Sequence, residues 1–311
     1  MELLPQPTQI AFYQPDPDYR RTEGISQSAM KELLVSPAHY QAAYGPNAEP
    51  RFATSAMTWG LALHARVLEP EKFENLFYDR SSKAKEPTVQ ELKDMLDESQ
   101  VEYPKTAKKA DLEALLWPEG KKKDKRTSMD PKDFENVIRA GDALRTHDIT
   151  GEWFCPGLPD FRKFNEVSLY IKNDLGQTLK GRFDRMLLTD DTLTILDLKT
   201  TQDATPKGFQ RSVANFSYDL QAAWYSNLAQ VCYPNHKVEF LFCAIEKRAP
   251  FGISVYRASE GLLKSGRRKM AKALDLFEQC RVLDYWPSYE PVINDMDMPG
   301  WSHETTEESI F

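Results

Sequence analysis

Along the chain the spacing of apolar residues changes from irregular to helical, then to alternating, then back. Residues 1–22 are polar and Pro-rich with no apolar period, and read as an extended arm. Helical spacing begins at Gln27–Val35, opened by Ser26 and Ser28, and resumes after Ser36-Pro37 to about Tyr44; hydroxyl caps and an early Pro suit the unpaired N–H groups of a first turn. Thr54–Glu69 (TSAMTWGLALHARVLE) predicts a third helix, in which Gly60 and Ala62 permit close packing and His64 sits midway. Asp130-Pro131 starts another, to about Thr146. The period then becomes two. Val167, Leu169 and Ile171 share one face of Glu166–Lys172, and Asn173–Gly176 is a turn. Two further β-rich runs, Thr178–Leu188 and Thr192–Lys199, flank a turn at Thr189–Asp191. Helices return at Pro206–Asn215 and Tyr218–Val231, strands at Lys237–Lys247 and Gly252–Arg257, and a long basic helix spans Ser259–Arg281. The succession predicts an α/β fold, a mostly antiparallel central sheet flanked by helices.

One stretch breaks this succession. Residues 81–129 hold a helical segment (Val89–Glu98), a short extended link (Val101–Pro104) and a second helical segment (Lys108–Leu116), followed by GKKKDKRTS. From Lys105 to Arg126 there are eight basic residues against four acids, enough to meet DNA phosphates without reading sequence. A solvated helical insert with a basic linker has the same composition.

The chemistry concentrates in the central hairpin. Alternation puts Asp197 and Lys199 on one side and sends Leu198 into the core, and an antiparallel partner strand can bring Asp184 beside them. Two carboxylates hold Mg²⁺ while leaving room for a phosphate oxygen, and an ammonium beside them can orient water or stabilise an oxyanion. A surface hairpin with exposed ion pairs would contain the same tripeptide. A lone His on a helix such as His64 is more often packed than functional. Gln221 and Tyr225 stand one turn apart on one helix face.

Composition narrows the classes. With 311 residues, 41% hydrophobic and 28% charged, the chain suits one large domain with a small insert. It has no run of 18 apolar residues and no leader pattern, so no membrane partner and a cytoplasmic location are expected. The four cysteines are scattered, which argues for free thiols. Net charge is −7, but Asp284–Phe311 contributes seven acids and no Lys or Arg, so the other residues balance to zero. A neutral body with a basic groove is compatible with DNA binding.

His64 in G-x-x-x-H-x-x-V-L-E-P, Glu166, Asp184 in G-R-F-D-R, Asp197-Leu198-Lys199 and Gln221-x-x-x-Tyr225 occur in one order. That order, with the α-β-β-β-α-β succession, resembles the RecB-type branch of the PD-(D/E)XK nuclease superfamily. Within that branch it resembles the RecE-like family (exodeoxyribonuclease VIII C-terminal domain). The likeness runs from Gly24-Ile25-Ser26 through WGLALHARVLEPEKF, ILDLKTT and YDLQAAWYS to Tyr285-Trp286-Pro287 and Pro299-Gly300-Trp301. It leaves out the insert, which itself resembles helix-extension-helix (SAP/LEM-like) modules through T-x-x-E-L-K and K-K-A-D-L, and the last ten residues.

The resemblance implies a processive, Mg²⁺-dependent 5′→3′ exonuclease on double-stranded DNA ends, with Mn²⁺ as a substitute. It would release 5′-mononucleotides and leave 3′ single strands for an annealing protein in phage or prophage recombination, working as a ring-shaped homo-oligomer. It implies catalytic roles for His64, Glu166, Asp184, Asp197 and Lys199, metal ligation by Asp184, Asp197, the Leu198 carbonyl, Glu166 and His64, and substrate contacts by Gln221 and Tyr225. Arg21 and Ser28 are candidates for a 5′-phosphate pocket at a helix start. Alternatives are a distributive single-strand or flap nuclease of the same fold, and a non-catalytic DNA-binding recombination scaffold.

The expected divisions are an arm (1–22), a nuclease domain (23–80 and 130–287), the insert (81–129) and an acidic tail (288–311). The tail's end, His303–Phe311, reads as a disordered solubilising segment, or resembles the acidic Phe-ending tails by which single-strand-binding proteins recruit repair enzymes, which implies docking on an annealing or single-strand-binding partner or on a neighbouring subunit.

Overall fold

A computed structural model describes residues 9–49, 53–82, 87–119, 124–155 and 162–297. Its centre is a seven-stranded mixed sheet. In chain order the elements are β1 (Gln9–Ala11), α1 (Asp16–Arg21), β2 (Ile25–Ser26), α2 (Gln27–Val35), α3 (Pro37–Tyr44), α4 (Ser55–Leu68), α5 (Pro70–Leu76), β3 (Phe77–Asp79), α6 (Val89–Glu98), α7 (Lys109–Leu116), β4 (Thr127–Met129), α8 (Pro131–Thr146) and α9 (Thr150–Phe154). The second half comprises β5 (Arg162–Lys172), β6 (Thr178–Leu188), β7 (Thr192–Thr201), α10 (Pro206–Asn215), α11 (Tyr218–Cys232), β8 (Lys237–Glu246), β9 (Ile253–Arg257) and α12 (Glu260–Leu283).

The strands lie in the order β1-β5-β6-β7-β8-β9, with β2 added to β6. β5–β6, β6–β7, β8–β9 and β1–β5 are antiparallel, while β7–β8 is parallel, joined by the crossover through α10 and α11. Alternation along β7 serves two cores. Leu193 and Ile195 face a core shared with α2, α11 and α12, whereas Leu198 faces one shared with α4 and α8. Phe183, Trp224, Phe240 and Phe242 are fully buried in the first core. Each such side chain contributes about 1.5–3 kcal/mol by leaving water.

Start signals act where the sequence places them. Ser26 Oγ accepts from Ala29 N–H at 3.3 Å and Ser36 Oγ from His39 N–H at 3.3 Å, capping α2 and α3. The insert is a helix pair with its own small core of Leu92, Leu96 and Leu112. Its two ends meet at the short parallel pair β3–β4, so the chain leaves and re-enters the main body at neighbouring points.

The expected extended arm is only partly extended. Within residues 9–22 the chain forms β1, which pairs with β5, and α1, held by Lys180 Nζ donating to the Tyr19 (3.1 Å) and Thr22 carbonyls. Three- and six-residue elements are too short to show a period, and packing against the sheet decides them. At the other end Trp286 stacks on Tyr40, with ring centroids 5.2 Å apart. His303–Phe311 and the Pro299-Gly300-Trp301 motif lie outside the described residues. Among the described residues the four cysteines are free, and no helix is long and apolar enough to cross a membrane.

Candidate active site

The site forms where two strands part. β6 pairs with β7 from Leu188↔Leu193 to Arg185↔Leu196. Beyond that point β6 continues against β5 and β2, while β7 continues against β8 as far as Thr201↔Glu246. Asp184 and Asp197 are the next residues past the parting on their strands. The exposed backbone is satisfied from within the site, because Leu198 N–H donates to Asp184 Oδ2 at 2.8 Å. On the other flank, the pairs Asn165↔Arg185 and Val167↔Phe183 bracket Glu166 opposite Asp184. Glu166 has φ 49°, a left-handed conformation that costs a non-glycine residue about 1–2 kcal/mol.

Asp197 is 1% exposed. Lys199, two residues on and therefore on the same face, places Nζ 2.6 Å from Asp197 Oδ2, and Gln221 Nε2 on α11 donates to Oδ1 at 2.8 Å. Burial holds the Asp197 carboxyl above its usual range, although Lys199 pulls the other way. Burial works against the charge on Lys199 as well, but Asp197 and Asp184 outweigh it and keep the ammonium above its ordinary value. His64 reaches in from α4, with Nε2 3.0 Å from the Leu198 carbonyl and Nδ1 3.7 Å from Asp184 Oδ1. An imidazole beside a carbonyl oxygen must donate, which assigns the Nε2–H tautomer.

Glu166 pairs with Arg182 Nε at 2.7 Å, and Arg182 Nη2 also meets Asp16 of α1 at 2.9 Å. Burial nevertheless pushes Glu166 up to about 7. A cleft of about 1040 Å³ opens beside this centre, lined in part by His64, Asp184, Tyr225, Ser28 and Arg21 together with Lys172, Lys180, Arg182 and Arg281. Its cations outnumber its acids, which suits a polyanion.

Of the sequence-predicted residues, direct contacts join His64, Asp184, Asp197, Leu198 and Lys199, and Gln221 joins through Asp197. Glu166 sits alongside but is engaged by Arg182. Tyr225 shares the cleft and is hydrogen-bonded to Gln221, whereas Arg21 and Ser28 line it apart from that group. Arg21 is bonded to Asp18 at 3.1 Å, and Ser28 Oγ accepts from Gln27 Nε2 at 2.9 Å. Arg182 escaped the sequence reading, although it stands two residues before Asp184 in a strand and so shares its face. Lys31 and Tyr218 also border the site. No sequence pattern marks them, because the packing of α2 on α11 brings them there.

No group of three or more His, Cys, Asp or Glu side chains gathers as a metal site among the described residues. Asp184, Asp197 and the Leu198 carbonyl are nonetheless all hard oxygen donors at one point. Asp197 Oδ2 is buried without a well-angled hydrogen bond, which suits a hard divalent cation.

Comparison with known proteins agrees with this architecture. The profile described as "PDDEXK-like domain of unknown function (DUF3799)" matches residues 26–294. No curated protein matches the sequence. Among solved structures, an Eubacterium rectale protein described as "Putative exonuclease" superposes with a TM-score of 0.52 at 14% identity, covering 86% of this chain and 88% of that one. At that identity the likeness shows the fold alone. A Vibrio cholerae protein matches with a TM-score of only 0.21 at 9% identity, covering 87% of this chain and 53% of that one.

Proposed function

The chain belongs to the PDDEXK-like domain family (DUF3799), within the PD-(D/E)XK nuclease superfamily, and from that premise we propose that it is a Mg²⁺-dependent 5′→3′ exonuclease acting on double-stranded DNA ends. The observation that carries this reading is the convergence of Asp184, Asp197, the Leu198 carbonyl and Lys199 at the parting of β6 and β7.

Asp184, Asp197 and the Leu198 carbonyl would hold Mg²⁺, or Mn²⁺ in its place, with Glu166 assisting. A divalent ion bound there supplies neutralisation of phosphoryl charge and a water of lowered pKa. Lys199 holds the attacking water or the developing oxyanion, and its ammonium stays charged for that task beside Asp197. Gln221 fixes the second oxygen of Asp197, and His64 fixes the Leu198 carbonyl, so both donors are oriented before substrate arrives. The basic cleft receives the DNA backbone, with Arg21 and Ser28 offering a place for a 5′-phosphate. The 3′ strand left behind would be the substrate of an annealing protein.

Digestion of linear duplexes labelled at either end, with and without Mg²⁺, tests the proposal. Loss of 5′-label as mononucleotide, dependent on the ion, is expected. Release from the 3′ end would overturn the polarity, and cleavage of single strands or flaps alone would overturn the duplex substrate.

A further inference from the structure

Lys31 on α2 is half-buried and shares the Tyr218 ring with Lys199 of the catalytic centre. Its Nζ lies 5.4 Å from the centre of the Tyr218 ring, and Lys199 Nζ lies 4.9 Å from the centre of the same ring. One aromatic face system therefore serves two ammonium groups, and only one of them has an anion. Lys199 pairs with Asp197, whereas Lys31 has no hydrogen-bond or ion-pair partner among the described residues.

The nearby carboxylates are already engaged. Asp197 is held by Lys199 and Gln221, and Asp219 by Lys269 Nζ and Ser265 Oγ, each at 2.8 Å. A surface lysine normally lays its stem on apolar surface and keeps its head in water. Lys31 does the reverse, carrying a partly desolvated cation towards another cation. Burial first, and Lys199 next, draw its ammonium down to about 8. Such an arrangement is unfavourable in the empty protein and becomes favourable when an anion arrives, because a charge-assisted hydrogen bond then replaces the missing hydration.

We infer that Lys31 is a substrate-binding residue of this site, which receives a DNA backbone phosphate next to the bond that is cut. The inference rests on the nuclease reading for the identity of its ligand. Tyr218 would hold the Lys31 and Lys199 side chains in place, so that α2 contributes Ser28 to the cleft and, one turn later, Lys31 to the reacting strand.

Binding of a short 5′-phosphorylated duplex, followed in Ca²⁺ over a range of NaCl concentrations, tests this directly. Lys31→Gln is expected to bind about tenfold more weakly. Its log–log salt slope should be shallower by about 0.9, the value for one neutralised phosphate. Its melting temperature should be unchanged or raised, and Lys31→Arg should keep the wild-type slope. Single methylphosphonate replacements along the strand then locate the phosphate: one position should weaken the wild type tenfold and leave Lys31→Gln no weaker than before. Wild-type affinity and slope in Lys31→Gln, or equal losses in both proteins at every position, would overturn the inference. A lowered melting temperature with an unchanged slope would make Lys31 a structural residue and overturn it too. Mg²⁺-dependent hydrolysis measured in parallel separates the two claims. A wild type that never cuts DNA would sink the nuclease reading, while the methylphosphonate result would still decide whether Lys31 holds a phosphate.

Discussion

Glu166 and Asp197 are acids that burial keeps from ionising readily, and their setting gives the protein a pH signature. Glu166 is raised from 4.5 to about 7 in the folded chain. A carboxyl raised in this way supports folding fully below its unfolded value and loses that contribution as pH climbs through the folded one. In EDTA, stability should therefore fall between about pH 4.5 and 7, by at most about 1.4 kcal/mol per pH unit for one group. Glu166→Gln should flatten that part of the profile in denaturant titrations. An identical slope in the variant would mean that Glu166 titrates normally. Asp197→Ala should abolish hydrolysis and also weaken binding of Mn²⁺, which calorimetry reads without any turnover.

At the scale of elements, the position of α11 decides whether Gln221 reaches Asp197. α11 lies against α12 so closely at Gly266 that an added Cβ would stand 1.9 Å from the Asp219 carbonyl oxygen. Gly266→Ala must push the helices apart. A loss of about 1–3 kcal/mol or more is expected, the usual cost of overpacking, with hydrolysis reduced further than binding. A variant as stable and active as wild type would show that α11 is not held by this close approach.

The same elements show what the sequence made legible. The hairpin of β6 and β7, the crossover helix α11 and the helix α4 all carry long, regular periods, and the starts of α2 and α3 match capping residues that can be read directly, Ser26 and Ser36. Alternation puts Asp197 and Lys199 on one face and hairpin pairing can bring Asp184 beside them, but their roles rest on the family resemblance. The left-handed Glu166, the parting of β6 from β7 and the tie from Arg182 to Asp16 depend on tertiary register. Lys31 was hidden for the same reason, since nothing in QSAMKELLV distinguishes it from a solvated helix lysine. The short β1, α1, β3 and β4 exist because the sheet and the insert junction hold them, and three to six residues offer no pattern.

For the molecule as a whole, the insert is expected to be a separable body. α6 and α7 close on their own core, and β3–β4 already brings the junction together, reinforced by Arg126 over the Tyr78 ring. Replacing residues 84–123 with a short Gly/Ser linker should leave the main fold and hydrolysis of short duplexes intact. If the insert's lysines bind phosphates, affinity should drop and the salt slope should flatten by about 0.9 for each phosphate no longer neutralised. Unchanged affinity and slope would assign the insert to another partner.

The central claim is that the group at the parting of β6 and β7 cuts phosphodiester bonds. It is tested most directly by Lys199→Ala, assayed on one linear duplex for Mg²⁺-dependent mononucleotide release and for binding. Removing a group that stabilises charge in the transition state typically costs about 10²–10³ in rate. The expected result is a fall of at least that size with duplex affinity nearly unchanged; substantial Mg²⁺-dependent release by the variant would contradict the assigned site.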